Sequence, residues 1–156
     1  CLVNNAAQFY LGRFFDQNIQ SINRLIDTNV KGTIYCTRAV LGDMLRIRSG
    51  RIINILSVSG RHGIEDQAVY SSSKYAISGF MDSLAQEIKE YGIYITNLYP
   101  GGINTELWSK IDKSYSLDVK KFMSPGNITQ VVEFLLNLPS DMVLKEMTFF
   151  PPNDWH

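Results

Sequence analysis

The sequence predicts an α/β fold, a parallel sheet with helices packed on it. Three observations carry this. Short apolar runs alternate with helical patterns in the order strand, helix, strand, helix, strand, loop, helix, strand. The crossover helices are long, as parallel neighbours require. There is no internal repeat and no linker, so residues 1–156 read as a single domain.

The elements follow in order. Residues 1–4 read as a strand. Ile22, Ile26, Val30, Ile34, Leu41 and Leu45 recur at helical spacing, which predicts a helix over 19–47, ended by Ser49-Gly50. The run RIINILSVSG is rich in β-branched residues and gives a buried strand over 51–57. The loop RHGIEDQ leads into a second long helix over 68–91. A strand over 93–99 stops at Pro100-Gly101-Gly102. The stretch WSKIDKSYSLDVKKFMSPGN is mixed and polar, with one or two short helices at most. NITQVVEFLLNLPS predicts a helix capped by Asn127 or Thr129, with Pro139 beyond its end. KEMTFFPP gives a last, weaker strand.

Composition excludes several classes. Of the 156 residues, 45% are apolar, enough for a real core. Lys plus Arg and Asp plus Glu each number 15, which argues against nucleic-acid and anionic-membrane partners. No apolar run reaches the ~18 residues of a membrane helix. Two cysteines, Cys1 and Cys36, make neither a disulfide scaffold nor a metal-ligand spacing, so no metal site is expected. Cys36 reads as a small buried residue. The chain therefore reads as soluble, from a reducing compartment, and cytoplasmic.

In such sheets ligands bind beyond the carboxyl ends of the strands. Asn4 and Asn5, Ser57, and Pro100 with Gly101 fall at those ends. At about 100° per residue, Tyr70, Lys74, Ile77, Met81, Leu84 and Ile88 share one helix stripe. Tyr70 and Lys74 then face inward at the same rim. A lysine on a buried stripe is costly without partners. The chemistry indicated is proton transfer at a carbonyl or alcohol. A Lys74 ammonium one turn away would lower the Tyr70 phenol. Ser57 would bond the substrate oxygen. With only His62 and His156, hydrolase pairing is disfavoured. His62 reads as an exposed loop residue.

These residues resemble the short-chain dehydrogenase/reductase family. The matching pieces are NNAA at 4–7, Asn29 in DTNVKG, GRIINILSVSG at 50–60, YSSSK at 70–74 and PGGINT at 100–105. The intervals Asn29 to Ser57, Ser57 to Tyr70 and Tyr70 to Lys74 are 28, 13 and 4 residues. The resemblance implies the C-terminal part of a doubly wound Rossmann-type domain. It implies Tyr70 as acid/base, Lys74 as the residue lowering the phenol and binding the nicotinamide ribose, and Ser57 as the residue orienting the carbonyl. Asn29 would hold a water in the proton relay. Asn5 and Ala6 would lie on the adenosine side of the cofactor, and Pro100, Gly101, Ile103 and Thr105 would embrace the nicotinamide. The implied cofactor is NAD(P), with NADP slightly favoured although the sequence does not determine the choice. The implied substrate is a small-molecule carbonyl or alcohol, with acyl, steroid-like and small-ketone compounds all open; Leu107 and Trp108 fall where the family's substrate lid begins, and with Ile111 they suggest an apolar ligand. A homodimer or homotetramer through the two long helices is implied by the same analogy.

There are two departures. Ala7 stands where the family has Gly, and no Gly-rich turn follows a first strand. The chain opens CLVNNAA, at the end of a strand. It therefore reads as a fragment lacking three βα units, on the order of 80–90 residues, with an exposed sheet edge that favours self-association. The alternative function is a truncated, catalytically inactive binding or regulatory module.

Overall fold

The computed structural model describes residues 1–111, 115, 118–139 and 141–154. Four parallel strands lie in the order β1 (Leu2–Asn4), β2 (Gly50–Ile55), β3 (Ile93–Pro100) and β4 (Glu146–Phe149). Helices α2 (Thr33–Ile47) and α3 (Ala68–Ile88) pack on one face, with α1 (Ile19–Ile26) against α3, and α4 (Pro125–Leu136) packs on the other. Ile52 packs with Met44, Ile77, Met81, Leu84 and Tyr99, while its neighbour Ile53 packs with Leu98 and Leu135. Successive strand residues thus feed opposite cores, which is why β2 carries no polar alternation. The α/β reading stands, and a helix layer on each face makes the sheet doubly wound.

The helix expected over 19–47 is interrupted. A π-helical turn, Asp27–Gly32, separates α1 from α2 and places the buried Asn29 in its middle. The extra residue in a π turn rotates the helix face. Past the turn, Thr37 and Met44 are the fully buried positions, and Leu41 and Leu45 pack beside them at the core margin. Cys36 is exposed, which corrects the expectation of burial. It lies beside Thr37 in sequence but about 100° away around the helix.

The stripe read along α3 is correct. Tyr70, Lys74, Ile77, Met81, Leu84 and Ile88 are all buried. The cap of α4 is Ser124 rather than Asn127 or Thr129. Pro125 takes the first helical position, and Asn127 Oδ1 accepts from the Ser124 N–H and hydroxyl at 2.8 and 2.9 Å. The mixed stretch holds two short 3₁₀ turns, Glu106–Lys110 and Val119–Lys121. Residues 112–114 and 116–117 of that stretch, like His156, lie outside the described residues.

Two turns at the amino ends of β2 and β3 lock together. Gly92 has φ +66°, and an added Cβ would sit 2.6 Å from the Arg48 carbonyl oxygen. Only glycine allows that approach. At the same level, Gly50 N–H donates to Gly92 O at 3.2 Å.

A buried polar row crosses the sheet. Asn4, Asn54 and Asn97 are paired in register. Asn4 Nδ2 donates to Asn54 Oδ1 at 2.8 Å, and Asn54 Nδ2 donates to Asn97 Oδ1 at 2.8 Å. Asn4 also donates to Thr37 on α2 at 3.3 Å. Replacing Asn54 by Ala leaves the buried Asn97 Oδ1 without its donor and Asn4 with only Thr37, at a cost of about 1–3 kcal/mol. We expect Asn54→Ala to lower the urea-unfolding midpoint accordingly. An unchanged midpoint would show that the row contributes nothing to stability.

Candidate active site

The carboxyl ends of the four strands open onto one cleft of about 510 Å³. Ser57, just beyond β2, lines it, as do Tyr70 and Lys74 from the first turns of α3. Gly60 brings these two elements together. A Cβ there would lie 3.1 Å from Lys74 Cβ and 3.3 Å from the Lys74 carbonyl group, so a larger residue would push the Ser57 turn off α3.

Lys74 is 5% exposed. Its Nζ donates to Ile55 O at 3.0 Å and lies 5.5 Å from the Tyr70 ring centroid. Burial lowers it from the ordinary 10.5 to about 8. Burial also pushes the Tyr70 phenol up from 10.0 to about 12, with the Ser57 hydroxyl acting in the opposite direction. The expectation that Lys74 lowers Tyr70 is therefore corrected. Loss of water is the largest cause of the Tyr70 shift, and Nζ gives one of its protons to a backbone carbonyl.

Asn29 is not in the cleft. Its Oδ1 accepts from Gln8 N–H at 2.7 Å, and its Nδ2 donates to Gln8 O at 2.9 Å and Ser73 Oγ at 3.0 Å. Ser73 in turn donates to Tyr70 O at 2.7 Å. The side chain thus pins the segment after β1 onto α3. Asn29 lines a separate small cavity of about 10 Å³, together with Asn4, Ala6, Thr33, Asn54 and Lys74. Lys74 borders both spaces.

Of the residues expected along a cofactor, Asn5, Pro100, Gly101, Ile103 and Thr105 line the cleft, and Ala6 lines the small cavity instead. Ala7 lines the cleft where the family has Gly. Leu107 and Trp108 line it as well, and Trp108 Nε1 donates to Ile103 O at 2.5 Å. His62 is exposed and lies off the cleft.

Sequence reading missed several wall residues. Phe9 meets Tyr70 edge-on at 4.7 Å between centroids and lies 5.1 Å from Trp108, which lies 4.9 Å from Phe122. Nothing in the spacing of Phe9 or Phe122 announces a site. Ser59 and Gln67 also line the cleft. Their closeness in sequence to Ser57 and Tyr70 was the available signal.

The model of the short chain dehydrogenase family matches residues 1–116. The chain belongs to that family. An uncharacterized oxidoreductase of Staphylococcus aureus strain MW2 is 31% identical over 150 residues, which are 96% of this chain and 63% of that protein. The closed form of serine dehydrogenase complexed with NADP+ superposes with TM-score 0.88 at 26% identity, covering 95% of this chain and 63% of that one. ElxO with NADP bound gives TM-score 0.82 at 26% identity, over 96% and 65%. The chain thus spans less than two thirds of the length of these relatives. Among the described residues no helix is long and apolar enough to cross a membrane.

The lowered Lys74 makes stability depend on pH. Between about 8 and 10 the unfolded chain holds a proton on this lysine that the folded chain has released. Stability therefore rises with pH across that window, by no more than about 3 kcal/mol. Above 10 the raised Tyr70 acts in the opposite sense. Chemical denaturation at pH 7.5, 8.5 and 9.5 should show the rise in the wild type and its loss in Lys74→Met.

Proposed function

We propose that the cleft is the active site of an NAD(P)-dependent oxidoreductase that interconverts a small carbonyl compound and its alcohol. The observation that carries this is the buried Tyr70–Lys74 pair, level with Ser57 on one cleft wall. A chain that needed only packing at position 74 would not bury an amine there.

The residues present fit a nicotinamide. Thr105 Oγ1 is buried without a hydrogen-bond partner and belongs to a cleft-lining residue. A carboxamide would satisfy it. Pro100, Gly101, Ile103 and Thr105 would hold that end of the cofactor and Asn5 would border it, while Ala6 falls outside this wall. When bound, the cofactor supplies or accepts the hydride at the substrate carbon. NADP is the favoured form, in line with the similar proteins whose structures contain it.

Tyr70 supplies the proton. With its phenol held at about 12 it is fully protonated at neutral pH and donates to the carbonyl oxygen as charge develops there. Ser57 stands beside that oxygen. Lys74, at about 8, exchanges protons readily near neutrality and returns one to Tyr70. The small cavity beside Lys74 has room for one water, with Asn4, Asn29, Thr33 and Asn54 as polar lining. That water is the proposed link between Lys74 and the polar residues behind it. Asn29 then serves by shaping this cavity and anchoring Gln8.

The substrate is apolar and uncharged. Phe9, Leu11, Ile64, Leu107, Trp108 and Phe122 make the wall. Lys121, also on the wall, pairs with Asp118 at 3.6 Å. Copies of the chain are proposed to associate through α1–α2 and α3, where Tyr35, Ile47 and Tyr75 are exposed.

The test is oxidation of NADPH by the protein in the presence of cyclic and aromatic ketones. Tyr70→Phe should cut turnover by about 10²–10⁴-fold while dinucleotide binding persists. Binding without turnover in the wild type would favour the non-catalytic module instead.

A further inference from the structure

Three segments of the cleft wall meet at Asp66. The Gln67 N–H donates to Ile64 O at 3.2 Å, which closes a turn just ahead of α3, and both residues line the cleft. Asp66 sits inside that turn with φ +61°. Gly adopts this left-handed conformation freely, Asp only at some cost. The Asp66 carbonyl accepts from Gly12 N–H at 2.9 Å, next to the cleft-lining Leu11. Its carboxylate Oδ2 accepts from the Tyr115 hydroxyl at 2.8 Å. That bond raises the Tyr115 phenol, so the phenol stays a donor. Tyr115 belongs to the segment that runs from Thr105 to Phe122, both of which line the cleft. The base of the segment is closed, since Met123 N–H donates to Gly102 O at 3.0 Å and Asn104 N–H donates to Met123 O at 2.8 Å. The Tyr115–Asp66 bond ties its middle to the turn ahead of α3.

We infer that Asp66 determines substrate size: by holding Tyr115 it fixes the width of the cleft and limits the substrate to a single-ring ketone or alcohol, excluding fused-ring ones. The inference rests on the reading of the cleft as a carbonyl–alcohol site, and it chooses among the substrate sizes that the sequence leaves open. The cleft of about 510 Å³ must also take the nicotinamide end of the cofactor, so its tied form holds a small substrate. With the base of the segment paired at Gly102 and Asn104, its middle is the part that can swing. A ligand that fits the tied cleft leaves the Asp66 bond intact. A wider one must break it. A turn that served only as a connection would carry Gly at position 66, and the carboxylate is what Asp adds there. Neither Asp66 nor Tyr115 lines the cleft, so both are positioning residues that act through the walls they join.

The variants are chosen so that the turn survives. Asp66→Gly suits the left-handed backbone, keeps the carbonyl for Gly12 and removes only the carboxylate. Tyr115→Phe removes only the hydroxyl. Asp66→Asn keeps an acceptor oxygen and tolerates the same backbone. The first readout needs no ligand. Lys110, Lys113, Lys120 and Lys121 flank Tyr115 in the sequence, so trypsin reports how often the segment comes away. Cleavage at these lysines should rise about fivefold in Asp66→Gly and in Tyr115→Phe, the worth of one ordinary hydrogen bond, and stay at the wild-type rate in Asp66→Asn. The second readout is calorimetric titration of cyclohexanone and of 2-decalone, its fused two-ring counterpart, into the full chain. Decalone has more apolar surface to bury, so a wild-type preference for cyclohexanone reports exclusion. Asp66→Gly and Tyr115→Phe should each cut that preference about fivefold, and Asp66→Asn should retain it. Unchanged cleavage in both Asp66→Gly and Tyr115→Phe would show that the bond does not hold the segment, which overturns the inference. Faster cleavage with an unchanged preference, or a wild type that favours decalone, also overturns it. Should Asp66→Gly fail to fold, Tyr115→Phe decides alone. Faster cleavage with neither ketone bound by any form would leave the tie in place but remove the carbonyl–alcohol reading, and the size limit with it.

Discussion

A slip of one residue between β1, β2 and β3 would turn Ile52, Ile95 and Tyr99 out of one core and break the amide line from Asn4 to Asn97. Both penalties act on the same register. Apolar burial alone favours the right face but does not distinguish slips of two. The amides do, because each must find its neighbour at the same level. That constraint sets the height at which Asn5, Ser57 and Gly101 leave the sheet, and hence the shape of the cleft floor. Arg61 extends the tie to the edge strand. It pairs with Glu146 and lies 4.0 Å over the Tyr99 ring, while the Tyr99 hydroxyl bonds Ser78 on α3 at 2.8 Å.

Above that floor the site is governed by water exclusion. Phe9 closes against the edge of Tyr70, and Phe9 itself is held by the Asn29–Gln8 pairing. Asn29 thus helps set the dryness around the phenol without touching the cleft. Dryness pulls Tyr70 and Lys74 in opposite directions, toward a phenol that keeps its proton and an amine that exchanges its own.

How much of this was legible depended on range. The α3 stripe was readable because Tyr70, Lys74 and Ile77 through Ile88 obey one period, and a buried lysine on such a stripe is anomalous. Ser57 was readable as a polar stop to an apolar strand. The π turn was not, since Val30 and Ile34 continue the periodic pattern across it. Asn29 therefore looked like an ordinary helix residue with a role at the cleft, whereas its partners are 21 and 44 positions away. The reversed shift of Tyr70 was also out of reach. Periodicity places two side chains near one another, but burial depends on Phe9 and the wall behind it. Gln67 and Ser59 were hidden for a simpler reason. A serine and a glutamine in a loop have many uses, and only the folded cleft shows that these two line it.

The wide turn at Asp27–Gly32 sets local regularity against the site. Deleting one residue there would let α1 and α2 fuse into an unbroken helix with better backbone geometry. It would also rotate one half against the other by about 100°. Asn29 would leave Gln8 and Ser73, or Thr37 would leave Asn4, and no repacking of side chains could restore both. Length in this segment is therefore less free than composition: substitutions on its outer face are absorbed, while a single-residue deletion is not, even though the resulting helix would be the more regular one.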